Sequence, residues 1–230
     1  MAEPDPASPA GVERLYRFVL LILQLVMGAE LVLLILRERW MHAALLAGLM
    51  AAILAPLLLR RGRRPLVPVE VQIVFVLFLF ATLFLGELLD YYERIWWWDL
   101  ALHGTAGLLL GLFGFMLVFM LNEDEAVDLH MRPGFVALFA FFFSVGLGGL
   151  WEVLEFTLDQ AFGWNMQKPM WGDPSGLTNT MWDLVLDSIG AGIASFLGWR
   201  YMKRPRKHYF AGWARRFVDR HPRLFEPKGR

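Results

Sequence analysis

The chain has 230 residues, of which 57% are hydrophobic and 19% are charged, and its formal net charge is zero. A soluble domain carries about a quarter of charged residues, so this composition argues against a soluble protein and favours one that lies in a membrane. Cysteine is absent, which excludes disulfides, thiolate metal sites and cysteine nucleophiles.

Six apolar stretches follow one another along the chain at the length expected of membrane-spanning helices. The predicted spans cover about residues 15–36, 43–59, 71–89, 95–121, 133–158 and 180–201. No small-residue cleavage site follows the first stretch, so it is predicted to be a retained helix and not a signal peptide. The predicted fold class is all-α, a polytopic membrane helix bundle. Residues 1–14 are predicted as a disordered tail, 15–202 as the six-helix transmembrane domain, and 203–230 as a basic tail.

The distribution of basic residues predicts the orientation of these spans. With six spans, the two termini and the loops after the second and fourth spans share one side of the membrane. All but four of the 22 lysine and arginine residues lie on that side. The four exceptions are Arg37, Arg39, Arg94 and Lys168. Because lysine and arginine accumulate in cytoplasmic loops, both termini are predicted to be cytoplasmic.

Three of the predicted spans carry a pair of ionisable residues next to tryptophan. The pairs are Asp99 with His103, Glu152 with Glu155, and Asp183 with Asp187. Residues three or four positions apart share one face of a helix. The predicted orientation puts all three pairs in the outer half of the membrane. Since ionisable side chains inside membrane spans are costly, they indicate a functional site.

Small residues continue the helix faces that bear these pairs. They are Gly107, Gly111 and Gly114 in the fourth span, Gly148 and Gly149 in the fifth, and Gly190, Ala191, Ala194 and Gly198 in the sixth. Such residues let membrane helices approach closely. We therefore expect the three faces to pack together and to bring the ionisable pairs to one site.

Five carboxylates in one such region require compensation, because like charges in a low dielectric cannot all stay ionised. Proton sharing, pairing with His103 or Arg94, and a bound divalent cation are the available remedies. Oxygen ligands with one imidazole suit Mg²⁺, Mn²⁺, Ca²⁺ or Zn²⁺. The candidate metal ligands are Asp99, His103, Glu152, Glu155, Asp183 and Asp187. Glu152 or Glu155, if it does not bind the ion, is the candidate general base.

Simpler interpretations exist for the individual residues. The segment from Thr180 to Asp183 fits a helix capping box, and Asp99 could cap the fourth span. His103 alone is compatible with a satisfied interior histidine, and Asp90 with a solvated position at the interface. The glycine faces could serve packing alone.

The tail 203–230 contains ten basic residues, with Tyr209, Phe210, Trp213 and Phe217 at helical spacing among them. This pattern is typical of an amphipathic helix on the anionic inner leaflet of a membrane. No nucleic-acid partner is expected, because the aromatic stripe needs an apolar surface.

The order of these patterns resembles the YjdF-like family of bacterial inner-membrane proteins. The patterns are Trp-Asp-x3-His from Trp98, Trp-Glu-x2-Glu from Trp151, and Asn-Thr-x-Trp-Asp-x3-Asp-x2-Gly-Ala from Asn179. More distantly, the chain resembles VanZ-like proteins, with Glu155 where these have Gln and Asp187 where they have Asn. The resemblance covers about residues 95–198. It implies a multi-pass protein of the bacterial cytoplasmic (inner) membrane and no established reaction.

Three functional hypotheses follow. The first is a metal-dependent hydrolase or transferase that acts on a lipid or lipid-linked head group, with residues 159–177 as a lid. The alternatives are an ion-coupled transport protein and a non-enzymatic structural or accessory subunit. The cytoplasmic halves of the predicted spans are almost purely apolar, which favours the enzyme over transport.

Overall fold

Helices make up nearly all of the structure, as the apolar sequence predicts. The computed structural model describes residues 9–58, 69–123 and 131–203. Its helices are α1 Pro9–Leu36, α2 Trp40–Leu58, α3 Val69–Leu79 with a π-helical continuation Phe80–Leu88, α4 Tyr91–Arg94, α5 Trp98–Glu123, α6 Pro133–Phe162 and α7 Leu177–Met202. Within the described ranges, extended pairing is confined to an isolated bridge between Met170 and Asp173.

Five segments of the described chain are long and apolar enough to cross a membrane. They are Gly11–Leu36, Val69–Leu88, Trp98–Phe119, Pro133–Phe162 and Leu177–Met202. The predicted span 43–59 coincides with α2, whose apolar part, Trp40–Ala55, is shorter than the other five. The prediction of an all-α membrane protein with several spans is thus confirmed. Helices of this kind place apolar side chains against lipid.

Several element boundaries differ from the predicted ones. Helix α1 begins at Pro9, inside the predicted tail, and α6 continues to Phe162. Helix α7 begins at Leu177 after Gly176, which has a φ of 78°. The alternative interpretation of Thr180–Asp183 as a capping box is therefore wrong, because Thr180 already lies inside the first turn of the helix. Residues 1–8 of the predicted disordered tail, residues 124–130 between α5 and α6, and residues 204–230 of the predicted basic tail lie outside the described residues.

The chain divides into two compact units between Trp98 and Asp99. The core of the first unit is formed by fully buried apolar side chains of α1, α2, α3 and the π-helical segment: Tyr16, Met27, Leu46, Ile53, Val76 and Phe84. Arg94, a candidate partner of the site carboxylates, forms an ion pair with Asp90 of the same unit at 3.4 Å.

The second unit comprises α5, α6 and α7. Its apolar core gathers at one end and consists of Phe115, Val118, Phe119, Val136, Ala140 and Met202. The burial pattern of α7 is the reverse of that of a helix in a soluble protein. Val185, Ile189 and Ile193 are exposed, whereas Asp183 and Asp187 are buried. This distribution is what a lipid environment selects, because lipid solvates apolar side chains and excludes charged ones.

Candidate functional site

The three helices of the second unit approach each other closely next to the ionisable pairs. A Cβ added at Gly107 would overlap the backbone of Asp187, and one added at Gly190 would overlap the carbonyl of Gly104. Ser144, which is fully buried, donates a hydrogen bond from its Oγ to the carbonyl of Gly107 at 2.8 Å. Small residues at these contacts let the backbones meet, which brings the ionisable side chains of all three helices together.

His103 lies among carboxylates from all three helices. Its Nδ1 is 3.4 Å from Oδ2 of Asp187 and 3.7 Å from Oε1 of Glu152. Its Nε2 is 3.7 Å from Oδ1 of Asp99. Both nitrogens of one imidazole therefore face acidic groups. The α5 pair and one acid each from the α6 and α7 pairs therefore meet at His103.

Asp183 is the most deeply buried acid of the cluster, with 0% of its surface exposed. Neither of its carboxylate oxygens has a hydrogen-bond partner among the described residues. One ligand atom each from Asp183, Asp99 and His103 lie within 4.8 Å of one another. A buried polar group without a partner is costly. The carboxylate of Asp183 therefore requires a neighbouring positive charge or a proton.

The two glutamates of α6 have different surroundings. The carboxylate oxygens of Glu152 are buried and have no hydrogen-bond partner among the described side chains, and one of them faces His103. Glu155 is also buried, but its Oε1 accepts a hydrogen bond from Nε1 of Trp151 at 2.8 Å. Of these two acids, Glu152 is thus the one whose carboxylate oxygens, beside the histidine, are available to bind an ion or a proton.

Asn179 is a member of the cluster that the sequence analysis did not select as a site residue. It is fully buried, and its Nδ2 donates a hydrogen bond to Oδ2 of Asp99 at 2.7 Å. Its Oδ1 accepts a hydrogen bond from the backbone N–H of Lys168 at 3.0 Å. Asn179 lies one turn before Asp183 on the same face of α7. That spacing is the signal that could have identified it.

Asp159 fixes the first half of the connection between α6 and α7 by hydrogen bonds. The two carboxylate oxygens of this residue accept hydrogen bonds from the backbone N–H groups of Met166 and Gln167, at 2.8 and 2.9 Å. The side chain of Gln167 then donates to Oγ1 of Thr180 at 2.8 Å. The segment predicted as a lid is therefore held against the start of α7.

Asp173 organises the second half of the connection, outside the spanning helices. It accepts hydrogen bonds from the backbone N–H and side-chain hydroxyl groups of both Ser175 and Thr178. These four bonds favour the ionised carboxylate and hold the pKa of Asp173 well below its usual range. Asp173 therefore binds a backbone N–H group in the first turn of α7, which is the role that the capping-box interpretation gives to Thr180.

Comparison with known proteins places the chain in a family. Residues 19–204 match the model of the family described as "Predicted membrane protein (DUF2238)". The chain belongs to this family. It is also the family of the YjdF-like proteins, in keeping with the resemblance noted in the sequence, whereas likeness to VanZ-like proteins is not shown. Together with the apolar helices, membership identifies a multi-pass integral membrane protein.

One relative of this chain is an "Uncharacterized protein" of Thermotoga maritima. The two are 35% identical over 109 residues, which is 46% of this chain and 50% of the relative. The chain thus matches half of the length of that protein. No solved structure matches the chain.

Proposed function

We propose that this protein binds a divalent cation between α5, α6 and α7, and that the ion serves a hydrolase or transferase reaction on a lipid or lipid-linked head group. The observation that carries the proposal is the buried carboxylate of Asp183, which has no hydrogen-bond partner among the described residues and faces Asp99 and His103. One imidazolium can offset only one of the negative charges that surround it. A divalent cation compensates several carboxylates at once.

The spacing of the candidate ligand atoms fits a single ion. Ligand atoms bind Zn²⁺, Mg²⁺ or Ca²⁺ at about 2.0–2.6 Å, so two ligands of one ion are at most about 5 Å apart. The ligand atoms of Asp99, His103 and Asp183 lie within 4.8 Å of one another. Two carboxylates and one imidazole suit Mg²⁺, Mn²⁺, Ca²⁺ or Zn²⁺.

The remaining acids have different roles in this proposal. Asp187 accepts a hydrogen bond from Nδ1–H of His103, which leaves Nε2, the nitrogen that faces Asp99, for the ion. Metal-binding histidines commonly have a carboxylate on the second nitrogen. Glu152 is the candidate general base: it takes a proton from water whose oxygen attacks a phosphoryl or acyl centre, and the proton then passes to the leaving group. Glu155 is the weaker candidate for a base or ligand, because Trp151 already binds it.

The orientation of the second unit supports a site on the outer side of the membrane. Arg132 precedes α6 and a basic segment follows α7, whereas the connection between the two helices contains Lys168 as its basic residue. The cytoplasmic ends are therefore those remote from the acidic cluster. This is the orientation in which the cluster faces the head groups of the outer leaflet.

The complete topology that we propose has six spans and two cytoplasmic termini in a bacterial inner membrane. Helix α2 has 19 residues, which gives a length of about 28 Å and nearly matches the hydrocarbon thickness of about 30 Å. It can therefore serve as the sixth span. The basic tail 203–230 then lies on the cytoplasmic side, where anionic lipids attract it.

Thermal unfolding of the purified protein in detergent tests the cation site. We expect chelator to lower the Tm and readdition of Mg²⁺, Mn²⁺, Ca²⁺ or Zn²⁺ to restore it, because a ligand at 100 times its Kd stabilises a fold by about 2.7 kcal/mol. His103→Ala should abolish this response. His42→Ala, which changes a half-buried histidine of α2, is the matched control and should retain it.

The outcomes separate the three functional hypotheses. If neither chelator nor added metal changes the Tm of wild type, the cation proposal is overturned and the structural or proton-sharing interpretation is left. A metal response together with cation flux into liposomes would instead identify an ion-coupled transport protein. A metal response without flux, combined with metal-dependent release of a lipid head group, is the result that the proposed function requires.

A further inference from the structure

Asn179 makes two hydrogen bonds that join different parts of the second unit. Its amide oxygen accepts from the backbone N–H of Lys168 in the α6–α7 connection, at 3.0 Å. Its amide nitrogen donates to Asp99 at the start of α5, at 2.7 Å. The side chain is fully buried, so water does not compete for either bond. One side chain thus spans from the connection to a carboxylate of the cluster.

The two ends of this amide are chemically distinct, which fixes its orientation. A backbone N–H can only donate, so the oxygen of Asn179 must face Lys168. An ionised carboxylate can only accept, so the NH₂ group must face Asp99. The bond to Asp99 occupies Oδ2, which leaves Oδ1, the oxygen that faces His103, directed into the cluster.

The other attachments of the connection do not reach a proposed ligand. Asp159 binds the N–H groups of Met166 and Gln167, and the Gln167 side chain binds Thr180. Neither Asp159 nor Thr180 is a proposed ligand of the ion. The hydrogen bond from Lys168 to Asn179, by contrast, continues directly to Asp99, a proposed ligand.

We propose that Asn179 is a positioning residue that holds Asp99 for the cation and couples occupancy of the site to the order of the α6–α7 connection. The inference rests on the proposed cation site. Linkage is reciprocal: if an ordered connection holds Asp99 in its binding orientation, a bound ion must in turn stabilise the connection. Residues that orient a metal ligand commonly change affinity by about 10–100-fold when they are replaced.

Two measurements on the full-length protein in detergent test the coupling, with Mn²⁺ as the probe. The first is Mn²⁺ affinity, for which we expect Asn179→Ala to weaken binding by about 10–100-fold. The second is hydrogen exchange at the amide of Lys168, which Mn²⁺ should slow in wild type but not in Asn179→Ala. Gln167→Ala is the matched control: it removes a neighbouring attachment of the connection but should leave Mn²⁺ affinity unchanged.

A reversed pair, in which the amide of residue 179 and the carboxylate of residue 99 are exchanged, tests the direct contact between these two residues without any metal. Asn179→Asp keeps the acceptor for Lys168 but sets a second carboxylate against Asp99, so we expect it to lower the Tm of the chelated protein. Adding Asp99→Asn restores one donor and one acceptor with the charges exchanged, and should recover most of that loss. This pair also decides the case in which Asn179→Ala does not fold.

The failures are distinguishable. If wild type binds Mn²⁺ and Asn179→Ala binds it equally well, the positioning role is overturned and the cation site stands. If the reversed pair is no more stable than Asn179→Asp alone, the direct contact is overturned. If wild type binds no Mn²⁺ or other divalent cation, the proposed function fails and the coupling fails with it.

Discussion

Gly148 of α6 faces the carboxylate of Asp187 on α7 with no room for a side chain between them. A Cβ added at Gly148 would overlap Oδ2 of Asp187 and lie 3.0 Å from its Cγ. The same Oδ2 is the atom that lies 3.4 Å from Nδ1 of His103. A glycine on one helix therefore decides where the acid of another helix can place its oxygen beside the histidine.

Gly148→Ala should consequently destabilise the protein, because either Asp187 or α6 must move. Overpacking of this kind costs about 1–3 kcal/mol. Thermal unfolding in detergent measures the effect. Gly149→Ala is the matched control, because a Cβ there meets nothing within 4 Å; in a helix it should be neutral or stabilise by up to about 1 kcal/mol. Equal Tm values for the two variants would show that Asp187 does not depend on the space at Gly148.

Asp187→Asn should have opposite effects with and without metal. In chelated protein it removes one of several neighbouring negative charges, so we expect a higher Tm than that of wild type. With metal present, the stabilisation should be smaller than in wild type, because an amide is a poorer acceptor for the His103 ring that the ion requires. Titration of the Tm against metal concentration measures both. A variant that matches wild type in chelator and in metal would contradict the assigned role.

Asp173→Asn should make the stability of the protein less dependent on acid pH. The folded-state pKa of Asp173 is depressed from its ordinary value of 3.8. The stability that its ionised form contributes is therefore fully present above about pH 4 and is lost as the pH falls toward the lower folded-state value. We expect the Tm difference between wild type and variant to be constant from about pH 7 to 5 and to narrow below about pH 4. A constant difference down to pH 3 would exclude this contribution.

The natural absence of cysteine allows a direct test of topology. Asn165 is exposed in the α6–α7 connection, so Asn165→Cys should react with a membrane-impermeant thiol reagent in intact cells. Gly62→Cys and Lys207→Cys, on the proposed cytoplasmic side, should react only after the cells are opened. Labelling of position 62 or 207 in intact cells would invert the orientation and place the cluster on the cytoplasmic side.

Helical periodicity made much of the candidate site predictable. The spacing of Asp99 and His103, and of Asp183 and Asp187, places each pair on one helix face whatever surrounds the helix. Apolar length predicted the spanning helices, and the small residues predicted which faces meet. These features are local, because they follow from the geometry of a single helix and from the cost of exposing charge to lipid.

The contacts between helices were decided only by the tertiary structure. The sequence placed Gly148 and Gly149 on equal terms, yet only Gly148 meets Asp187. It also placed Glu152 and Glu155 on equal terms, yet Trp151 engages only Glu155. Such differences depend on how each helix is rotated about its axis relative to its neighbours. That rotation is set by packing over the whole interface, so it leaves no local pattern in the sequence.

Asn179 and Asp183 show the same division. From the sequence alone, Asp183 fits a capping residue, and the predicted sixth span begins just after Asn179. The structure instead starts α7 at Leu177 and gives the capping role to Asp173, so both residues enter the buried face of the helix. The amino-acid sequence by itself determined a membrane helix bundle with acidic pairs on helix faces that pack together. The tertiary structure decided which oxygen meets which nitrogen, because those distances are set by residues about 80 positions apart in the chain, such as Asp99 and Asn179.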